Sequence, residues 1–313
     1  MLAYTIRRLF ATLVVMTIVA FVVFSLLYLT PGDPAAVIAG DIATDEDIRR
    51  IRASLGLDEP FFVRFGSWVW GLLHGDLGTS IFTKLPVTHL IAQRIEPTVA
   101  LTVCTLLVAV LVAVPLGVLA AWKVGTWIDR VVMAVSVLGF SIPVFVLAYM
   151  LILTFSIYFD ILPVQGYRNF RDGVWEWFRH LVLPSVALGT VYVALIARIT
   201  RASMLDVLSQ DYIRTAQAKG MGTSEMLRTH ALKNAAIPIV TVIGIGIALL
   251  ISGAIVTETV FAIPGIGRLT VDAILRRDYP IIQGMILIFS AIYVLINLAV
   301  DLSYTLFDPR VRF

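Results

Sequence analysis

Charge is scarce in this chain. Only 14% of its 313 residues are Asp, Glu, Lys or Arg, against about 25% in ordinary soluble domains, and 59% are hydrophobic. A soluble fold cannot bury that much apolar surface, so lipid must be part of the solvent. The single cysteine, Cys104, excludes an intrachain disulfide, and the net charge of +3 is too small to indicate a nucleic-acid partner.

Catalytic and metal-binding patterns are also missing. There is no Gly-x-x-x-x-Gly-Lys-Ser/Thr phosphate loop, because in Lys219–Ser224 the lysine precedes the glycines. There is no Gly-x-Ser-x-Gly nucleophile elbow, and the histidines lie far apart without metal-ligand spacing. We therefore expect no catalytic residue, no cofactor and no metal in this chain, which would not hydrolyse nucleotide itself.

Ionisable groups are equally rare inside the apolar runs. A charge at the centre of a span costs about 2.5–3.5 kcal/mol, so it is usually kept for function. Only Glu258 and Asp301 come close, and both lie at predicted span ends. Proton- and sodium-driven carriers usually need buried acids near the midplane. The sequence thus disfavours, without excluding, a self-sufficient carrier or channel. A scaffold without transport activity is another alternative.

Long apolar runs are what the sequence has in abundance. A membrane span needs about 20 mostly apolar residues. The first run is longer than the roughly 7–15 apolar residues of a signal peptide and lacks a cleavage site, so we interpret it as a retained anchor. The sequence predicts an all-α membrane protein with six transmembrane helices, at Leu9–Thr30, Pro97–Trp122, Val131–Phe159, Leu181–Ala197, Asn234–Thr257 and Tyr279–Val300.

The placement of Lys and Arg predicts the orientation. The segment Pro31–Glu96 is too long to count in the positive-inside rule. Among the shorter segments, Lys and Arg favour the side that carries the N-terminus. We therefore expect both termini in the cytoplasm and Pro31–Glu96 outside it.

The predicted extracytoplasmic loop has helical signals of its own. Thr44 and Asp47 form a capping-box-like start for a short helix over Asp45–Leu55, and Gly56 suits a left-handed end. An apolar stripe at helical spacing follows. It could lie in the membrane interface, pack on the ends of the spans or contact a partner, and we favour local packing with interfacial anchoring. The stripe is Phe61, Phe62, Phe65, Trp68, Val69, Leu72 and Leu73.

Small residues and prolines mark several spans. Gly244, Gly246 and Gly253 allow close approach of another helix to the fifth span. Pro115 and Pro143 lie mid-span, where a proline frees a backbone carbonyl and permits a kink. Lining of a pathway and ordinary helix packing both explain these residues, and packing is favoured.

The connection between spans four and five, at about 203–236, is amphipathic and basic. Asp211–Lys219 favours helix, Gly220–Gly222 breaks it, and Ser224–Ala235 favours helix again. This predicts a helix-turn-helix on the membrane surface. The segment could bind a partner protein, and the simplest alternative is that it is an interfacial connector with no partner. A nucleic-acid role is disfavoured, because the segment is pinned between two spans.

This connection closely resembles the EAA loop of ABC-importer permeases, especially the dipeptide/oligopeptide branch. The general signature is Glu-Ala-Ala, three residues, then Gly; here those positions hold Arg214, Thr215, Ala216 and Gly220. The arginine and threonine, and the longer gap from Gly220 to Pro238, depart from the general signature and match the branch.

Further motifs carry the resemblance along nearly the whole chain. Each is weak alone, but they occur in family order and spacing. They are Arg7-Arg8, Pro31–Pro34, Leu55–Asp58, Gly75–Gly78, Ser141–Pro143, Thr200–Ser203, Glu258–Phe261, Pro264–Arg268, Arg277–Pro280 and Asp308–Arg310.

The resemblance implies a multi-subunit importer in the inner membrane of a bacterium. The fold would be the type I importer permease fold, with an added N-terminal helix and the long extracytoplasmic loop. The expected partners are a homologous second permease related by a pseudo-twofold axis, a pair of ATPases that bind ATP and Mg²⁺, an extracytoplasmic substrate-binding protein and membrane lipid. The substrate would be a dipeptide, an oligopeptide or a related solute such as a glutathione-like thiol or a nickel complex.

The resemblance also assigns regions and residues. Residues 1–95 would be the first helix and the outer loop, residues 96–305 the permease core with its coupling loop at 203–236, and residues 306–313 a cytoplasmic tail. No substrate-binding residue is identified. The expected ATPase-coupling residues are Asp211, Tyr212, Arg214, Thr215, Ala216, Ala218, Lys219, Gly220, Ala231, Asn234 and Pro238.

Overall fold

The structure is a computed structural model that describes residues 2–29, 33–40 and 43–307. The described chain is predominantly helical. In chain order its helices are α1 (Leu2–Leu29), α2 (Pro34–Ala39), α3 (Asp45–Ser54), α4 (Phe61–Leu73), α5 (Val87–Ala92), α6 (Ile95–Trp122), α7 (Trp127–Ser141), α8 (Val144–Leu151, continued by wider turns over Ile152–Tyr158), α9 (Val174–Leu208), α10 (Asp211–Ala218), α11 (Thr223–Glu225, continued by wider turns over Met226–Leu232), α12 (Ala236–Val260), α13 (Ile266–Arg276) and α14 (Tyr279–Phe307).

Within the described residues, four helices are long and apolar enough to cross a membrane. Their apolar stretches are Phe10–Leu27, Val87–Trp122 (α5 and α6 taken together), Val174–Leu208 and Tyr279–Val300. The number rises to six if each of two bent helix pairs is one span, which agrees with the six predicted helices. Thr30, the predicted end of the first span, lies outside the described residues.

The third predicted span, Val131–Phe159, is wrong as a single helix. The structure has Trp127–Ser141 and Val144–Tyr158, which meet at 102°. Pro143 has no N–H to donate to the carbonyl of Gly139, and it disfavours helical geometry in the residue before it. Ile142 accordingly has φ −84° and ψ 124°, an extended conformation. Pro115, by contrast, lies inside the continuous helix α6.

The compact unit drawn from Met1–Glu96 and Gly265–Val294 contains the predicted outer loop. Thr44 and Asp47 form the expected capping box at the start of α3, and Gly56 follows the helix with φ +60°. Helices α5, α13 and α14 share an apolar core that includes Val87, Leu269 and Met285. The predicted domain division at residues 95 and 305 is a functional one and stays a prediction.

Aromatic rings join α4 to α1 within the same unit. The Phe24 ring centroid lies 5.4 Å from those of Phe61 and Phe65 and 5.2 Å from that of Trp68. Part of the predicted stripe therefore packs on the first span, as the local-packing interpretation expected. Phe62 lies on the other side of α4, where 77% of the residue is exposed.

Helix α9 lies at the centre of the second compact unit, drawn from Pro97–Pro264 and Leu295–Phe313. It packs against α7, α8 and α12, and its buried residues Leu188 and Ile196 belong to the main apolar core. Glycines allow the close approach that the sequence predicted. A Cβ added at Gly253 would lie 2.9 Å from Leu188 Cδ1, and one at Gly244 would lie 2.0 Å from Val300 Cγ2. These two glycines therefore serve helix packing.

Gly117 is a point of close contact between α6 and α9. A Cβ there would lie 2.6 Å from Thr200 Cβ and 2.7 Å from the Ala197 carbonyl oxygen. We expect Gly117→Ala to lower the free energy of unfolding by about 1–3 kcal/mol, because the helices must separate to admit the methyl group. The temperature at which the detergent-solubilised protein aggregates measures this loss.

Gly66 provides the matched control for that substitution. It also lies within a helix, but a Cβ there would have no neighbour within 4 Å. Gly66→Ala should leave the aggregation temperature unchanged or raise it slightly, because alanine favours helix over glycine by about 1 kcal/mol. Equal effects at the two positions would show that close packing at Gly117 does not limit stability.

Candidate coupling loop

Helix α10 begins the loop that the sequence singled out. Gln210 precedes it in an extended conformation, and Asp211 places a negative charge in the first turn, where the helix dipole favours it. Thr215 Oγ1 donates a hydrogen bond to the Asp211 carbonyl oxygen at 3.0 Å. These local interactions stabilise a helix of only two turns, which would be marginal alone.

Gly220 ends α10 in a left-handed conformation, with φ +83°. Its N–H donates to the Gln217 carbonyl oxygen at 2.9 Å, and the Met221 N–H donates to that of Ala216 at 3.3 Å. This pair of bonds is the Schellman arrangement, in which glycine is strongly preferred because it has no Cβ. The sequence-based prediction of a turn at Gly220–Gly222 therefore agrees with the backbone.

The second half of the loop leads directly into α12. Wider helical turns over Met226–Leu232 replace part of the regular helix that was predicted for Ser224–Ala235. Asn234 Nδ2 donates to the His230 carbonyl oxygen at 2.6 Å. The segment Thr223–Leu232 meets Ala236–Leu250 at 66°, so the chain turns sharply where it joins the fifth predicted span.

A buried apolar base holds the loop against the rest of its unit. Ile213 is 1% exposed, Met226 is 2% exposed and Ala231 is fully buried. These side chains form one cluster with Ala121 of α6 and Met204 of α9. The loop is therefore packed on two spanning helices through its inward face.

The predicted coupling residues divide between a surface and this base. Ala216 is half-buried. Ala231 belongs to the buried base, the apolar cluster that holds the loop against α6 and α9. The Arg214–Asp211 ion pair, at 3.6 Å, is too exposed to contribute much to stability. The exposed residues are Asp211, Tyr212, Arg214, Thr215, Ala218, Lys219, Gly220, Asn234 and Pro238.

Two known protein families match this chain. A model for the binding-protein-dependent transport system inner membrane component matches residues 113–313. A second model, for the N-terminal part of such membrane components, matches residues 1–102. The chain belongs to this family.

The chain is thus a permease subunit of an ATP-driven ABC importer of the peptide branch, in the bacterial inner membrane. It is not an enzyme, since ATP hydrolysis lies with separate ATPase subunits in this family. A probable peptide ABC transporter permease protein of Sinorhizobium fredii is 55% identical to it over 99% of both chains. The dipeptide transport system permease protein DppB of Escherichia coli is 37% identical over 100% of this chain and 99% of that protein.

A solved structure supports the importer permease fold. A chain of the inward-facing MetNI methionine ABC transporter superposes with a TM-score of 0.58, covering 70% of this permease and 96% of that chain. At 19% sequence identity the likeness concerns the fold alone.

An ion pair near the loop was missed by the sequence analysis. Arg201 of α9 donates from Nε to Asp129 Oδ1 at 2.6 Å and from Nη2 to Oδ2 at 2.8 Å. The Gly125 N–H donates to the same carboxylate at 3.0 Å. Arg201 lies one helical turn before Met204, so the pair ties the turn between α6 and α7 to the helix beneath the loop. No pattern in the sequence indicates that these two charges meet.

Glu258 is the acid that the sequence placed at the end of the fifth span. It is fully buried two residues before the end of α12, and Thr98 Oγ1 donates to its Oε1 at 2.5 Å. Its position at the helix end agrees with the prediction. The side chain of Asp301 lies outside the described part of the structure. Among the described residues, no group of His, Cys, Asp or Glu is arranged to hold a metal ion.

Proposed function

We propose that the segment Asp211–Pro238 receives the motion of a separate ATPase and passes it to α12. The observation that supports this most is the contrast between its two faces. The inward face is locked into the apolar cluster with α6 and α9, whereas the other face is exposed and polar. An element that is fixed on one side and open on the other suits a rigid contact with a second protein.

The short side chains of the exposed face fit insertion into a groove. Ala218 adds little width to α10, and Asp211, Arg214 and Lys219 place both signs of charge around it. Complementary rim charges favour orientation and specificity over raw affinity. Pro238 lies in the first turn of α12, so a rigid displacement of the loop would move the start of that helix.

We further propose that the solute is a peptide. The support is the names of the relatives: a probable peptide permease at 55% identity and dipeptide permeases at 42% and 37%. Selection among dipeptides, longer peptides, glutathione-like thiols and nickel complexes would rest largely with the substrate-binding protein.

The remaining assembly is proposed on the same family grounds. A homologous second permease would pair with this chain about a pseudo-twofold axis, and ATP and Mg²⁺ would bind to the partner ATPases. Both termini and the coupling loop would face the cytoplasm. Residues 1–95 would then carry the extracytoplasmic loop, residues 96–305 the permease core and residues 306–313 the tail.

Two exposed alanines test the coupling face and the orientation together. In a Cys104→Ser background, Ala218→Cys lies on α10 and Ala53→Cys lies on α3, and both positions are exposed. A membrane-impermeant maleimide should label Ala53→Cys in intact spheroplasts and Ala218→Cys only in inverted vesicles. Adding the ATPases should protect Ala218→Cys and leave Ala53→Cys unchanged. Labelling of Ala218→Cys from outside, or no protection by the ATPases, would contradict the proposal.

A further inference from the structure

The broken span between α7 and α8 leaves unused hydrogen-bond acceptors. Pro143 cannot donate to Gly139, and no described backbone N–H donates to the carbonyl oxygens of Gly139, Phe140 or Ser141. These carbonyls form the negative end of the α7 dipole. In a membrane, non-helical backbone is tolerated where protein covers it or where it lines a water-filled cavity.

A small cavity lies beside this break. Its volume is about 100 Å³, and it is lined from α7 by Ser136, Phe140 and Ser141 and from α9 by Ala194 and Arg198. The helices are in close contact next to it, since a Cβ at Gly139 would lie 2.9 Å from Thr190 Cγ2. The cavity is large enough for a carboxylate and its first carbon atoms.

Arg198 supplies the cavity's positive charge. It is exposed, and the described residues give it neither a hydrogen bond nor an ion pair. Arg201, one turn further along α9, is instead neutralised by Asp129. Arg198 directly follows the predicted fourth span, Leu181–Ala197, so its charge lies at the end of that span, where it lines the cavity. Its planar guanidinium matches a carboxylate through two parallel hydrogen bonds.

The hydroxyl groups of Ser136 and Ser141 are available as hydrogen-bond acceptors. Ser136 Oγ donates to the Val132 carbonyl oxygen and Ser141 Oγ donates to that of Val137, each at 2.8 Å. Each hydroxyl hydrogen is therefore already used, and the oxygen lone pairs remain. The cavity thus has a cationic residue on its α9 side and, on its α7 side, two serines and Phe140, whose carbonyl oxygen receives no described backbone hydrogen bond.

We propose that this cavity binds the C-terminal end of a zwitterionic peptide during its passage, with Arg198 holding the carboxylate. The acceptors at the end of α7 take the adjacent peptide N–H. The inference rests on the proposed peptide substrate and adds a specific contact on the pathway. A lipid phosphate held by Arg198, or an acidic residue of the second permease, is a competing occupant that the test must separate.

The test uses the complete transporter in proteoliposomes, with saturating binding protein loaded with radiolabelled dialanine. Arg198→Gln should reduce the initial rate of dialanine import about 10-fold, which corresponds to about 1.4 kcal/mol and is typical of a lost charge-assisted hydrogen bond. Arg198→Lys keeps the charge without the planar fork and should show an intermediate loss. Arg130→Gln, an exposed arginine outside the cavity, should stay within about twofold of wild type.

A photo-crosslinking measurement identifies the occupant directly. Val137 lines the cavity, and Val135 of the same helix does not; their exposures are 61% and 59%. A benzophenone side chain at Val137 should capture radiolabelled dialanine during turnover, and one at Val135 should not. The capture should be lost when Arg198→Gln is added.

The outcomes separate this inference from the peptide proposal. If wild-type vesicles import no dialanine, the peptide substrate is wrong and this inference falls with it. If wild type imports dialanine and Arg198→Gln imports it equally well, this inference alone is wrong. Capture of lipid or of the second permease at Val137, without captured dialanine, would also overturn it.

Discussion

Gly220→Val should abolish most ATP-driven uptake while the protein still inserts into the membrane. Gly220 holds φ at +83°, and a left-handed backbone costs a residue with a Cβ about 1–2 kcal/mol, more if it is β-branched. No atom lies within 4 Å of an added Cβ, so the penalty comes from the backbone and not from a clash. The chain should relieve it by opening the Schellman turn, which displaces the exposed face of α10.

A graded series at this position makes the prediction sharper. Asparagine tolerates the left-handed region better than alanine, and alanine better than valine. Uptake should therefore fall in the order glycine, asparagine, alanine, valine, and capture of the ATPase should fall in the same order. The measurement is uptake together with co-purification of the ATPase, each normalised to the amount of inserted protein.

Gly222 is the matched control for the series. It lies in the same turn with open space around it, but its φ is −64°, which any residue adopts. Gly222→Val should therefore retain nearly normal uptake. Normal uptake in Gly220→Val, or an equal loss in both variants, would remove the coupling role assigned to the conformation of Gly220.

Asp129→Ala should cause the largest loss of stability among single substitutions near the loop. The Asp129 side chain is 7% exposed and that of Arg201 is 24% exposed, so the pair is largely withdrawn from water. Removing one partner of a buried pair leaves the other charge uncompensated, at a cost of about 3–5 kcal/mol. Because Arg201 is partly exposed, we expect Asp129→Ala to lower the stability by about 3 kcal/mol, near the lower end of that range. The aggregation temperature of the detergent-solubilised transporter measures it.

An exposed ion pair on α3 is the control. The Arg50–Glu46 pair spans 3.1 Å, with side-chain exposures of 72% and 63%. Glu46→Ala should change stability by no more than about 0.5 kcal/mol, because exposed pairs contribute little. Uptake should fall in Asp129→Ala alone, since only that pair fixes the turn between α6 and α7 to α9. Equal stability of both variants would show that the Asp129–Arg201 geometry does not stabilise the fold.

Much of the membrane architecture was predictable because lipid imposes a simple rule. Backbone polar groups must be satisfied within a span, so long apolar runs become helices. The break at Pro143 was harder to predict, since Pro115 and Pro184 lie inside continuous helices. Whether a proline bends a helix or breaks it depends on the packing around it, and one sequence does not contain that information.

The coupling loop was predictable for a different reason. Its turn depends on the local backbone conformation, and a single residue, Gly220, allows the left-handed conformation that the turn requires. The Asp129–Arg201 pair joins residues 72 positions apart, so no local pattern reveals it. The buried base is an intermediate case: Ile213 and Met226 fit an amphipathic pattern, but their shared contact with Met204 required the folded chain.

Uptake by reconstituted vesicles tests the central claim, that a separate ATPase drives this permease through the loop Asp211–Pro238. The vesicles contain this chain, the second permease, the ATPases and the loaded binding protein. We predict peptide uptake against its gradient only when ATP and the ATPases are both present, and its loss in Gly220→Val but not in Gly222→Val. Uphill uptake by the purified chain alone, without ATP, would contradict the account.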